Sequence, residues 1–310
     1  MQNVKKQIFI AALAALCSTP AIAQDDLLAE LESEQEETTT PVLATFKGAR
    51  IVNLQSPEMA GKGVLKYMFI HRFGAFNQDF WQNFMGLFNA QVRLSLDYSP
   101  TEWLNVGMGA SSVQKVYDGF AKYRLARQTT GARTFPVSIT GFSSLYYTAE
   151  RFNDELPRNE SDRVSYVHEL LIARKFTPEF SLEVVPTLIH YNVVENLEDN
   201  NDVFAVGIGA RYKVSPQHAI SVEYVHQMNP LTFSVPGTDS FEEYSNSLSV
   251  GYVIETGGHI FQLFVTNASG VSEPLTLGKT TGKWSDGDLH FGFNISRVFT
   301  LKSNKQNELE

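Results

Sequence analysis

"QVRLSLDY", Gln91 to Tyr98, alternates without a slip: Val92, Leu94, Leu96 and Tyr98 hold one parity, Gln91, Arg93, Ser95 and Asp97 the other. Successive side chains of an extended strand point to opposite faces, so the segment joins an apolar face to one carrying both signs of charge. In a soluble sandwich the apolar face is buried and the charged face solvated. In a membrane barrel the apolar face meets lipid and the charged face lines an enclosed lumen.

The rest of the chain favours the second arrangement. Period-2 alternation and flanking turn residues mark about twelve strands, at 63–73, 90–99, 103–112, 116–127, 135–147, 164–174, 181–192, 202–214, 218–228, 243–254, 259–267 and 287–301. In 204–214, Phe204, Val206, Ile208, Ala210, Tyr212 and Val214 oppose Gly207, Gly209, Arg211 and Lys213. In the last strand Leu289, Phe291, Phe293 and Ile295 oppose His290, Gly292, Asn294 and Ser296.

Connections alternate in length. "SPTE" (99–102), "TTGART" (129–134), "FTPE" (176–179), "SPQ" (215–217) and "ETGG" (255–258) are tight and polar. Between them fall long links at 74–89, 150–163, 192–201, 229–244 and 267–288, with one exception near Ser112 to Lys115. That pattern belongs to an all-β, single up-and-down antiparallel transmembrane barrel with short periplasmic turns and long external loops. Enclosing Arg93, Asp97, Lys122, Arg124, Glu183, Arg211 and Glu223 in a dry sandwich would cost several kcal/mol per unpaired charge. A hydrated or internally paired lumen removes that cost.

The N-terminus supplies the address. Lys5 and Lys6 precede an apolar run from Ile8 to Leu16 and the small-residue site Ala21-Ile22-Ala23, so 1–23 reads as a signal peptide that takes the single cysteine, Cys17, with it. Leu16 stands where a lipoprotein signal needs a small residue. Residues 24–44 form an acidic leader, 63–302 the barrel and 303–310 a tail. Segment 45–62 is read as periplasmic or lumen-inserted, because a strand at 45–56 would make the span count odd and Lys47, Arg50, Asn53 and Gln55 spoil a lipid face. The localisation expected is the outer membrane, with its lipid as the surrounding partner. A net charge of −9 argues against a nucleic-acid partner. Nothing in the sequence sets an oligomeric state.

"TFKGARIVNLQS" (45–56), "HRFG" (71–74), "YDGFAKYRLARQ" (117–128) and "HFGFNISRVF" (290–299) together resemble a β-barrel family of Bacteroidota envelopes, domain of unknown function 5777. The likeness covers nearly the whole chain after residue 44 and implies an outer-membrane barrel, without a substrate or catalytic residues to carry over.

Other chemistry reads as structural. The pairs Gly107/Gly109 and Gly207/Gly209 lie inside strands with no helix after them, so they give lumen side chains room rather than cradle a phosphate. The seven histidines form no metal-ligand spacing, and neither a metal nor a cofactor is expected. A lipid hydrolase would need Ser and His within reach on neighbouring strands; Ser95, Ser247 and Ser249 point inward, so the chain reads as no enzyme. The informative set is cationic: Lys66, Arg72, Arg93, Lys122, Arg124 and Arg211 share the inward parity and face Asp97, Glu169, Glu183 and Glu223. The function expected is porin-like passage or binding of small polar or anionic solutes at these cations. The alternative is a sealed structural barrel whose external loops or acidic leader bind partners, and a lipid hydrolase comes last.

Overall fold

The structure, a computed structural model, describes residues 38–77, 89–150 and 159–301. The signal peptide, most of the leader and the tail lie outside the described residues, as do parts of two long links. Contacts divide the described chain into two units. In the small one, Thr38–Thr40 with Thr130–Thr134, the Arg133 amide donates to Thr39 Oγ1 at 3.1 Å. The main unit is a closed antiparallel barrel of twelve strands.

These are β1 Val64–Ala75, β2 Gln91–Tyr98, β3 Leu104–Ser111, β4 Val116–Ala126, β5 Ser138–Thr148 and β6 Val164–Lys175. They continue as β7 Phe180–Tyr191, β8 Asp202–Ser215, β9 His218–Gln227, β10 Ser247–Thr256, β11 His259–Thr266 and β12 His290–Thr300. Each pairs with its neighbour in sequence, and β12 closes on β1 from Thr300 opposite Val64 to His290 opposite Ala75. Every span expected from alternation is present, with ends displaced by up to four residues, most at β10, where the expected start at Glu243 belongs to the preceding link and the strand begins at Ser247.

Turn chemistry sets the short-link end. Gly258, at φ 109°, takes a backbone conformation closed to most side chains and lets Thr256 and His259 face each other across a two-residue loop. Before β7 the Thr177 hydroxyl accepts the Glu179 and Phe180 amides at 3.2 and 3.0 Å, folding the link locally. At the opposite end the link after β9 carries a small ribbon, Thr232–Ser234 paired with Phe241–Glu243. The link after β11 carries a short helix, α1, Glu273–Gly278.

On β2, Leu94 and Leu96 are 43% and 45% exposed while Arg93 and Asp97 are 2% and 3% exposed. Met108, Leu145, Ile208, Val222 and Leu263 continue the exposed apolar belt around the barrel. A contiguous apolar surface of that extent is stable only against lipid or a partner. No described helix is long and apolar enough to cross a membrane.

A barrel of twelve strands is wider than its own inward side chains can fill, since diameter grows with strand number. The remaining space is occupied by two segments of the same chain. From the short-link end comes 45–56, in which Phe46, Ile51, Val52 and Leu54 are all buried. From the long-link end comes α1, with Glu273 and Leu277 buried.

Candidate functional site

Segment 45–56 is a tight hairpin. Arg50 bridges Gln55 antiparallel, the Ile51 amide donates to Leu54 O at 3.0 Å, and the Ser56 amide to Ala49 O at 2.9 Å. A hairpin this short leaves backbone groups pointing outward, and inside a barrel each needs a partner. The inward face of the wall supplies them. Glu223 on β9 accepts the amides of Val52, Asn53 and Leu54 at 2.8 to 3.0 Å, a carboxylate seated in a nest of N–H groups. Gln262 on β11 donates to Arg50 O and Ile51 O, and Asn294 on β12 to Val52 O. The glycines of β8 are explained by packing: a Cβ on Gly207 would meet the Leu54 side chain at 2.7 Å, and one on Gly209 would meet Ile51 at 2.2 Å.

The hairpin and α1 are tied to each other. Glu273, 0% exposed, accepts from the Arg50 guanidinium, from Gln55 Nε2 at 2.6 Å and from the Tyr146 hydroxyl at 2.6 Å. Burial alone would raise the Glu273 pKa, but Arg50 and Arg93 together pull it down to about 2. The charge is therefore retained, and three donors hold it between plug and wall.

The six cations expected to face solutes are placed as follows. Lys66 pairs with Asp97 at 2.7 Å, and Arg93 pairs with Asp118 through Nε at 3.0 Å and Nη2 at 2.5 Å. Arg211 pairs with Glu255. Arg72 donates to Asn53 Oδ1 at 2.5 Å and to Ala268 O at 2.8 Å, touching both the hairpin and the link that bears α1. Lys122 donates to Ala49 O at 3.2 Å and Ser56 O at 2.8 Å. Arg124, at the short-link rim, donates to Glu102 O at 2.7 Å. Of the four acids that parity sets facing these cations, Asp97 pairs with Lys66, but Glu223 serves the hairpin, and Glu169 and Glu183 accept no hydrogen bond among the described residues. The cause is the hairpin, whose amides and carbonyls compete with wall side chains as partners. Asp118, Glu255 and Glu273 carry pairings that alternation alone did not single out.

Two cavities flank the obstruction. One of about 670 Å³ opens at the long-link end, floored by α1 and the residues on either side of it through Ser272, Pro274, Leu275 and Lys279. One of about 380 Å³ lies at the short-link end beside Lys47, Glu58, Lys66 and Glu255. Between them, next to Arg50, Gln55, Arg93 and Lys122, is a void of about 20 Å³, room for roughly one water.

The wall also holds a serine and histidine pair that inspection of the sequence passed over. Ser143 on β5 and His168 on β6 are register partners, with Oγ 3.0 Å from Nδ1 and the Tyr123 hydroxyl 3.4 Å from Oγ. Both lie on the outward parity, as the exposed Leu145 and Leu170 beside them do. The sequence signal was a polar residue on an otherwise apolar face of each strand. Ser143 is the central residue of the eleven in β5. No group of three or more His, Cys, Asp or Glu residues suited to a metal occurs among the described residues.

A sequence profile described as "Membrane bound beta barrel domain (DUF5777)" matches residues 46–299. No curated protein matches the chain at a significant level. Among solved structures, the NanC porin is similar at 8% identity and a TM-score of 0.45, with 76% of this chain and 98% of that one covered. An outer membrane channel from Pseudomonas putida F1 is similar at 14% identity and a TM-score of 0.46, covering 78% and 97%. Outer membrane phospholipase A from Escherichia coli is similar at 10% identity and a TM-score of 0.44, covering 83% and 98%.

Proposed function

The chain belongs to the family of membrane-bound β-barrel domains that its profile match defines, and from that premise we propose an outer-membrane barrel that is closed at rest and gated by its own N-terminal hairpin. The short links lie on the periplasmic side and the long links outside, which is the usual sense of such barrels. The hairpin then enters from the periplasm and α1 from outside. The observation that carries this reading is the Arg50–Glu273 contact, which joins the two across the middle of the lumen. Small polar solutes enter the external cavity and cross only when that contact opens.

Free porin-like flow has less support. Five of the six inward cations are spent on partners within the lumen rather than presented to an aqueous channel. No catalysis is assigned to Ser143 and His168. A pair at mid-strand on the lipid side lies at the depth of acyl chains, since the hydrocarbon core is about 30 Å thick, while lipid esters sit near its edges.

Planar-bilayer recording of the full chain tests the reading. The native barrel should show rare, brief openings, and a variant without residues 45–56 should conduct steadily. A native barrel that conducts steadily at the same level as the variant would overturn it.

A further inference from the structure

The external cavity has features that closure does not use. Lys279, the residue after α1, holds its ammonium 4.6 Å from the Tyr191 ring centroid, and no carboxylate lies within 4.0 Å of it among the described residues. Burial lowers the Lys279 pKa, with Glu195 opposing the shift. Ser272, the residue before α1, is 1% exposed, and its hydroxyl has no hydrogen-bond partner among the described residues. A buried hydroxyl left unpaired is costly and invites a ligand atom. Both residues border the cavity, whose volume of about 670 Å³ falls in the range of small-molecule sites. Val193, Val194, Pro274 and Leu275 give its mixed lining an apolar part. The acidic residues of the lining are placed differently: Glu150 and Glu195 are exposed, and Asp162 caps a turn by accepting the Asn159 amide at 2.9 Å.

We propose that this cavity binds a small organic anion, a carboxylate on a compact apolar body, with the carboxylate at Lys279 and Ser272 and the body against the four apolar residues. An ammonium over an aromatic face, with no carboxylate within ion-pair distance among the described residues, leaves its hydrogen-bond donors to an incoming anion. The four apolar residues favour an organic body over a bare inorganic anion, which would leave their surface uncovered. As the entry step of a gated path the site rests on the closed-barrel reading, whereas binding itself does not.

Isothermal titration calorimetry on the full chain folded in detergent tests it, with phenylacetate and hexanoate as probes and their neutral amides as controls. The acids should bind, the amides at least tenfold more weakly, and chloride not measurably. Lys279→Gln should weaken acid binding by tenfold or more and leave the amides unchanged. Ser272→Ala should weaken it less. Equal affinity for acid and amide, unchanged acid binding in Lys279→Gln with native heat-modifiable mobility on gels, or no binding of either acid at millimolar concentration would each overturn the proposal. The readout involves no current, so a barrel found open would leave this inference standing, and its failure would leave closure standing.

Discussion

Replacing Glu273 with Gln removes a charge that three donors share and leaves the Arg50 guanidinium, 4% exposed, facing only neutral acceptors, Asn53 O at 2.7 Å and the new amide oxygen. Breaking a buried pair by deleting one partner costs roughly 3–5 kcal/mol, mainly because the other charge is stranded. Since about 1.4 kcal/mol is a factor of ten, the open-to-closed ratio should rise by roughly two to three and a half orders of magnitude. Arg50→Gln should open the barrel comparably, since it strands Glu273. The double variant strands neither, so it should lie nearer to native than either single variant, the non-additive signature of direct coupling. Open probability in planar bilayers, with heat-modifiability on gels to confirm folding, measures all four proteins. If both single variants stay as closed as native while removal of 45–56 opens the barrel, the Arg50–Glu273 contact is not the latch.

The hairpin should loosen as pH rises. Burial lifts the Glu58 pKa above its usual 4.5, against the Phe46 amide and the Arg124 and Lys122 charges, so its contribution to seating is complete below about 4.5 and is lost as pH rises through the lifted value. Glu273, held at about 2, contributes above about 4.5 and loses this only as pH falls through 2, so alkaline opening that vanishes in Glu58→Gln belongs to Glu58. Gly209→Val places atoms where Ile51 sits, and overpacking of roughly 1–3 kcal/mol should raise open probability about tenfold while circular dichroism keeps its β signature. Ile208→Arg, on the lipid side of the same strand, should destabilise the refolded barrel by roughly 2–4 kcal/mol if near the midplane, measured by urea titration in lipid vesicles; no loss would place that face in water.

Alternation on "QVRLSLDY" and its counterparts was enough to read the twelve strands and their lipid side, because a period of two survives any detail of packing. Loop parity was equally legible, since it depends on length and turn residues alone. The lumen was not. Parity places Glu223 inward, but only the folded hairpin shows that it binds three amides rather than an arginine. Glu273 lies in a link without strand or helix periodicity, so its meeting with Arg50 across 223 residues left no local trace. Ser143 and His168 were overlooked for a related reason: a single polar residue on an apolar face is unremarkable in one strand and becomes a pair only through register.

The most direct test of the central claim is disulfide trapping of the hairpin inside the barrel in intact outer membranes, with cysteines in place of Val52 and Gly251. A Cβ on Gly251 would stand 3.0 Å from Val52 Cγ2, within the span a disulfide bridges. The account predicts near-complete oxidative cross-linking of this pair, and none when the second cysteine replaces Tyr252, the next residue on the outward face. A folded, membrane-inserted barrel in which the 52–251 pair stays unlinked would contradict the placement of the hairpin, and with it the closed state.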